Sequence, residues 1–241
     1  MSVALNYQLS IFGRYSIAPN PEMITNLMSK INTATGETFL PNIINTQQVE
    51  VSSNQIKSLS NLGFVTPDQK FSISILNERV DINFTRTTDI DVEIDTFFNI
   101  AVKALETIMD YANLNAYRLA ANYQMVCNLQ DFDKLQILGK RFVTAAKYYD
   151  SKALYEWSNR VNSQVEINIM DAPEGINVIT EISSAHSVHG QHAVLYHIDI
   201  NTLPQNQNMR FSSVAISSFV GKVTPIAKEI VTDVEGLIAN E

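Results

Sequence analysis

Apolar and polar residues alternate at the start of the chain. Leu5, Tyr7, Leu9 and Ile11 fall on one side and Asn6, Gln8 and Ser10 on the other, which is the period of a strand with one face buried. The segment "APNPEMITNLMSKINT" changes period. Ile24, Leu27, Met28 and Ile31 recur at helical spacing and Pro21 sits early, where a helix tolerates it. The stretch from Phe39 to Val51 has no clear period. In "KFSISILNERVDINF", Phe71, Ile73 and Ile75 alternate before a turn near Asn77, and Val80, Ile82 and Phe84 alternate after it, so a hairpin is expected. The clearest helix follows, with Ile94, Phe97, Phe98, Ala101, Leu105, Ile108 and Met109 on one stripe.

From Tyr117 the pattern starts again. Tyr117, Leu119, Ala121, Tyr123, Met125 and Cys127 alternate, and "DFDKLQILGKRFVTAAKYY" reads as a helix through Phe132, Leu135, Leu138, Phe142 and Tyr149. Strands are expected at Val161–Ile169, Ile176–Ile182 and Val194–Ile200. A closing helix follows, carrying Ile216, Phe219, Val220, Val223, Ile230, Val234 and Leu237, with a kink expected at Pro225. The fold class is therefore α+β: two pseudo-repeats of strand, helix, strands and long helix, residues 1–115 and 116–241, packed as one unit. The long helices would cover one face of an antiparallel sheet and leave the other bare. In element order this resembles a duplicated TATA-binding-protein-like or helix-grip architecture.

The stretch "RLAANY" is similar to a motif of a sporadically distributed, uncharacterised prokaryotic family of about 250 residues, in which a long helix runs into a strand of the form Arg-x-x-Leu-Arg-Tyr. Arg118 and Tyr123 match, Ala121 stands at the apolar position, and Asn122 stands where the family has its second Arg. The resemblance implies the fold and adds nothing about chemistry.

Composition narrows the function classes. The chain has 241 residues, 45% hydrophobic and 17% charged, which suits a folded domain with a sizeable core. With 25 acidic and 17 basic residues the formal net charge is -8, and no cationic run offsets it, so nucleic-acid binding is disfavoured. No apolar run is long enough to span a bilayer and no signal-peptide pattern opens the sequence, so a cytoplasmic protein is expected. Cys127 is the sole cysteine, which excludes an intrachain disulfide and a Cys-based zinc site.

Three places are candidates for chemistry. His186, His189 and His192 cluster in or beside a hairpin loop and could converge on zinc, although the run contains no carboxylate or thiol, and a solvated polar loop is the preferred reading. Asp89, Asp91, Glu93 and Asp95 precede the strongest helix, where capping and dipole compensation explain them better than a cation does. No nucleophile elbow, P-loop or dinucleotide-binding motif occurs, and Cys127 and Trp157 read as packing residues.

The third candidate is the sheet face opposite the apolar stripes: Asn6, Gln8, Ser72, Ser74, Asp81, Asn83, Arg118, Asn122, Gln124, Gln164, Glu166, Asn168, Glu181, His197 and Asp199. Amides both donate and accept, which suits recognition of a protein or small polar ligand. The expected function is a non-catalytic binding or interaction protein that uses this face through Arg118, Asn122, Gln124, Glu166 and His197, with homo-oligomerisation open. A metal-dependent hydrolase built on the histidine cluster and a small-molecule carrier of the helix-grip kind are the alternatives. No cofactor is expected, apart from zinc in the hydrolase alternative.

Overall fold

The opening alternation produces β1 (Val3–Phe12), with one departure that resets its phase. A β-bulge between Ala4 and Asn6 puts Ala4, Tyr7, Leu9 and Ile11 into the core and leaves Leu5 outside it, whereas simple alternation places Leu5 with Tyr7. The computed structural model describes residues 2–15, 20–50, 55–87, 92–129, 131–142, 147–149, 151–186 and 191–239.

Helix α1 (Pro21–Thr35) begins with the Asn20 side chain accepting from the Met23 amide and ends at Gly36, whose φ of 78° is a left-handed conformation suited to glycine. Two strands with weak sequence signals follow, β2 (Leu40–Glu50) and β3 (Gln55–Val65), paired along their length. Next come the expected hairpin, β4 (Phe71–Ile75) and β5 (Arg79–Thr85), and then helix α2 (Ile94–Ala112). The second half supplies β6 (Arg118–Leu129), α3 (Phe132–Phe142), a short 3-10 turn at Lys147–Tyr149, β7 (Ser158–Ile169), β8 (Ala172–His186), β9 (His192–Thr202) and α4 (Val214–Ala239). Four described strands thus follow α1 where the sequence pattern shows about three, and of the expected helix to Tyr149 the described part is α3, with Lys147–Tyr149 forming the 3-10 turn. α4 runs as a single helix through Pro225, which is exposed.

The nine described strands form one antiparallel sheet in the order β2-β3-β4-β5-β1-β6-β9-β8-β7. The first strands of the two halves, β1 and β6, are central neighbours. Side chains from all four helices join the same apolar core on one side of this sheet. An aromatic group fills the space beneath α2: Tyr7 lies 5.6 Å from Phe84 and 5.5 Å from Phe97, and Phe98 lies 5.3 Å from Tyr123, measured between ring centroids. Phe97, Phe84 and Tyr123 are fully enclosed, and burying a side chain of that size contributes about 2–3 kcal/mol. Trp157 and Cys127 are buried, as expected of packing residues; Trp157 stacks on Phe142 and closes over Gly139. Among the described residues, no helix is long and apolar enough to cross a membrane.

Candidate binding site on the open sheet face

Successive side chains on a strand point to opposite sides, so the register that buries Tyr7, Leu9, Tyr123, Tyr196 and Ile198 turns their neighbours outward. Antiparallel pairing then aligns those neighbours in rows across the sheet. One row runs Thr85, Asn6, Gln124, His197, Glu181, Arg160, and the next runs Asn83, Gln8, Asn122, Asp199. A third contains Asp81, Ser10, Ala120, Asn201, Asn177 and Gln164.

Amide-to-amide hydrogen bonds fix much of this surface. Asn122 Nδ2 donates to Gln8 Oε1 at 3.2 Å, and Gln8 Nε2 donates to Asn83 Oδ1 at 2.8 Å. On the far side Gln164 donates to Asn177, Asn177 to Asn201, and Asn201 to Asp199. An amide inside such a chain uses a donor and an acceptor on its neighbours, so its orientation is set before any ligand arrives.

Between the two chains the surface dips into a concavity of about 460 Å³ lined by Asn6, Gln8, Asn122, Gln124, Glu181, Ser183, Leu195 and His197. The Gln124 and His197 side chains make no hydrogen bond or ion pair within the described protein, although both are only partly exposed. Glu181 accepts from Ser158 Oγ at 3.2 Å on its outer side, with Arg160 Nε 4.0 Å from its other oxygen. The floor therefore offers an amide, an imidazole and a carboxylate side by side, with Leu195 as an apolar contact.

The sequence-nominated residues divide accordingly. Asn122, Gln124 and His197 come together at this concavity. Arg118 sits at one end of the face, its guanidinium 4.9 Å from the Phe12 ring centroid, and Glu166 lies opposite Gly175 on the outermost strand β7. Asp81 is on the polar side but is not a wet residue: it is 3% exposed, accepts from Ser10 Oγ and pairs with Arg79 Nε at 2.7 Å. Burial raises its pKa above the ordinary carboxylate range, against the opposing pull of Ser10 and Arg79. The sequence marks Glu181 only as one member of the face, and it does not mark Ser183 or Leu195, because their place in the concavity depends on pairing between β6, β9 and β8.

The histidines arrange differently. His186 ends β8 and His192 begins β9, and their pairing sets the two Nδ1 atoms 3.1 Å apart. His186 Nε2 is 2.9 Å from the Tyr155 carbonyl. A carbonyl only accepts, so this nitrogen carries the hydrogen and, in the neutral ring, Nδ1 accepts from His192. Phe132 packs against both His192 and Tyr155. His189 lies outside the described residues, as do Asp89 and Asp91. Among the described residues, no group of three or more His, Cys, Asp or Glu is placed to hold a metal ion. Of the remaining acids, Glu93 occupies the N-cap position of α2 without a side-chain capping bond, and Asp95 lies in the first turn, where it pairs with Lys228 of α4 at 2.6 Å.

No protein-family model matches the chain, and no curated protein matches it in sequence.

Proposed function

We propose that the protein is a non-catalytic binding module of the cytoplasm that takes a polar ligand on the open face of its sheet, and that its two halves are related by duplication. The observation that carries this reading is the pair of partly exposed side chains, Gln124 and His197, without a protein hydrogen-bond partner among the described residues and set between hydrogen-bonded amide chains at the floor of the concavity. Partly desolvated polar groups without partners lose little further hydration when a ligand supplies the missing hydrogen bonds, so they are the natural points of capture. The one hydroxyl among the lining residues, Ser183, makes no hydrogen bond to a base among the described residues. A ligand with alternating donors and acceptors suits the site, such as an amide-bearing small molecule, a short uncharged peptide or a saccharide.

Duplication is supported by the order strand, helix, strands, long helix occurring twice, and by the central antiparallel pairing of β1 with β6. The helix-grip alternative draws less support, since the aromatic group occupies the layer between α2 and the sheet.

Thermal-shift measurements against a panel of amino acids, short uncharged peptides and mono- and disaccharides test the reading. At least one class is expected to raise the melting temperature of the wild type, because a ligand that binds only the folded state stabilises it by mass action. The same compound is expected to leave Gln124→Leu and His197→Leu unshifted. A panel that stabilises nothing, or a ligand that stabilises both variants as well as the wild type, would refute the site.

A further inference from the structure

Strand β7 ends the sheet, and no described strand pairs with its outer edge. Long edge strands present unpaired backbone groups to other chains, and proteins usually blunt them with proline, lysine, shortness or an inward charge. β7 has neither proline nor lysine and is not short: it has 12 residues, reads SNRVNSQVEINI, leaves Val161 and Val165 56% and 42% exposed, and carries only two charges, Arg160 and Glu166, of opposite sign. That combination calls for a partner, and the strand's own sequence specifies which.

The direction of the free backbone groups follows from the turn. Met170 and Asp171, with φ of 49° and 64°, form a two-residue connection between the paired residues Ile169 and Ala172. In such a hairpin the flanking pair exchanges both backbone hydrogen bonds, so the odd-numbered residues of β7 bond to β8. The 3.0 Å bond from the Ser184 amide to the Trp157 carbonyl, at the far end of the same ladder, agrees. The N–H and C=O groups of Ser158, Arg160, Asn162, Gln164, Glu166 and Asn168 therefore point outward.

We propose that β7 pairs antiparallel with β7 of a second copy about a two-fold axis at Ser163. In that register Arg160 lies opposite Glu166 of the other copy, Asn162 opposite Gln164, and Val161 opposite Val165, each pair occurring twice by symmetry. Even-numbered residues meet even-numbered residues, so both edges offer their free groups to each other. Moving the axis by one residue keeps the backbone bonds but sets Arg160 opposite Gln164 or Asn168, and charge complementarity is lost. Glu166 makes no ion pair among the described residues, and Arg160 is engaged only by an exposed contact at the 4.0 Å limit with Glu181, which a closer carboxylate can replace. Pairing would also cover the exposed valines and join the two open faces into one surface carrying two concavities.

The test uses the full chain and two single variants, Arg160→Glu and Glu166→Lys, with folding checked by circular dichroism and mass in solution measured by analytical ultracentrifugation. The wild type is expected to be a dimer in the micromolar range. Each variant places like charges opposite each other at two symmetric sites and is expected to dimerise on the order of tenfold more weakly. In an equimolar mixture, a heterodimer of the two variants again sets opposite charges face to face at both sites, so the mixture is expected to recover dimerisation at the wild-type strength. A monomeric wild type, variants that dimerise unchanged, a mixture without recovery, or open-ended oligomers from β7 pairing with β2 would each overturn the proposal. None of these outcomes depends on the ligand of Gln124 and His197.

Discussion

Arg210 ties the loop between β9 and α4 to the rest of the molecule, and its removal yields a quantitative test of how that loop is held. Its Nε donates to Glu174 Oε2 at 3.0 Å and its Nη2 to the second oxygen of the same carboxylate, while Nη1 reaches the carbonyls of Tyr117 and Asn206. The guanidinium also lies 4.3 Å from the Phe211 ring centroid. The side chains of Arg210 and Glu174 are only 19% and 14% exposed, so the pair sits between the surface and interior regimes. Breaking a fully buried pair from one side costs about 3–5 kcal/mol and a surface pair contributes about 0–1 kcal/mol. Arg210→Ala strands a half-buried carboxylate and two carbonyls, and is expected to cost about 2–3 kcal/mol by interpolation between those limits. Glu174→Ala leaves the arginine its carbonyl partners and should cost about half as much. Urea denaturation of the wild type, both single variants and the double variant forms a complete cycle, with an expected coupling of about 1.5–2 kcal/mol. A coupling below about 0.5 kcal/mol would show that the pair behaves as an ordinary surface contact and would refute the anchoring role.

Burial raises the folded-state pKa of Asp81, so the folded chain binds a proton more readily there than the unfolded chain does; this contribution is fully present below the ordinary aspartate range and is lost as pH rises through the raised value. Asp81→Asn is therefore expected to gain stability relative to the wild type between pH 3 and neutrality, read from urea midpoints, and a pH-independent difference would contradict this. At Gly139 an added Cβ would fall 2.7 Å from Trp157 Nε1, so Gly139→Ala should cost about 1–3 kcal/mol and shift the fluorescence of the single tryptophan. Replacing Met170-Asp171 with Asn-Gly relieves two residues of left-handed backbone and should raise stability by about 0.5–1 kcal/mol in thermal melts.

The elements legible in the sequence are those whose apolar face is continuous. Helix α2 shows its stripe because nearly every third or fourth residue from Ile94 to Met109 is buried, and β6 shows its alternation because Leu119, Ala121, Tyr123, Met125 and Cys127 all face the core. β2 and β3 are illegible because asparagine, glutamine, threonine and serine are interspersed through "LPNIINTQQVE" and "QIKSLSNLGFV", which blurs the period of two. The bulge near Leu5 is hidden because it changes the phase of β1 without any turn residue to mark it. The polar face is readable strand by strand, but the concavity is not. It needs Gln124 beside His197 and His197 beside Glu181, and those adjacencies are properties of sheet order. Arg210 lies in "NTLPQNQNMRF", a polar stretch in which nothing separates an anchoring residue from a solvated one.

The central β1–β6 ladder also bears on how the protein is made. Ribosomes emit the amino-terminal half first, and β1 can pair with β5 at once while its opposite border stays open. An apolar strand left bare in a nascent chain invites aggregation. Here the missing neighbour is the next strand to emerge after α2, and only the stretch from Thr85 to Leu129 separates the completed β5 from the completed β6. Synthesis at about 5–20 residues per second therefore exposes that border for roughly two to nine seconds. The chain order thus supplies the protecting strand within seconds of the vulnerable one.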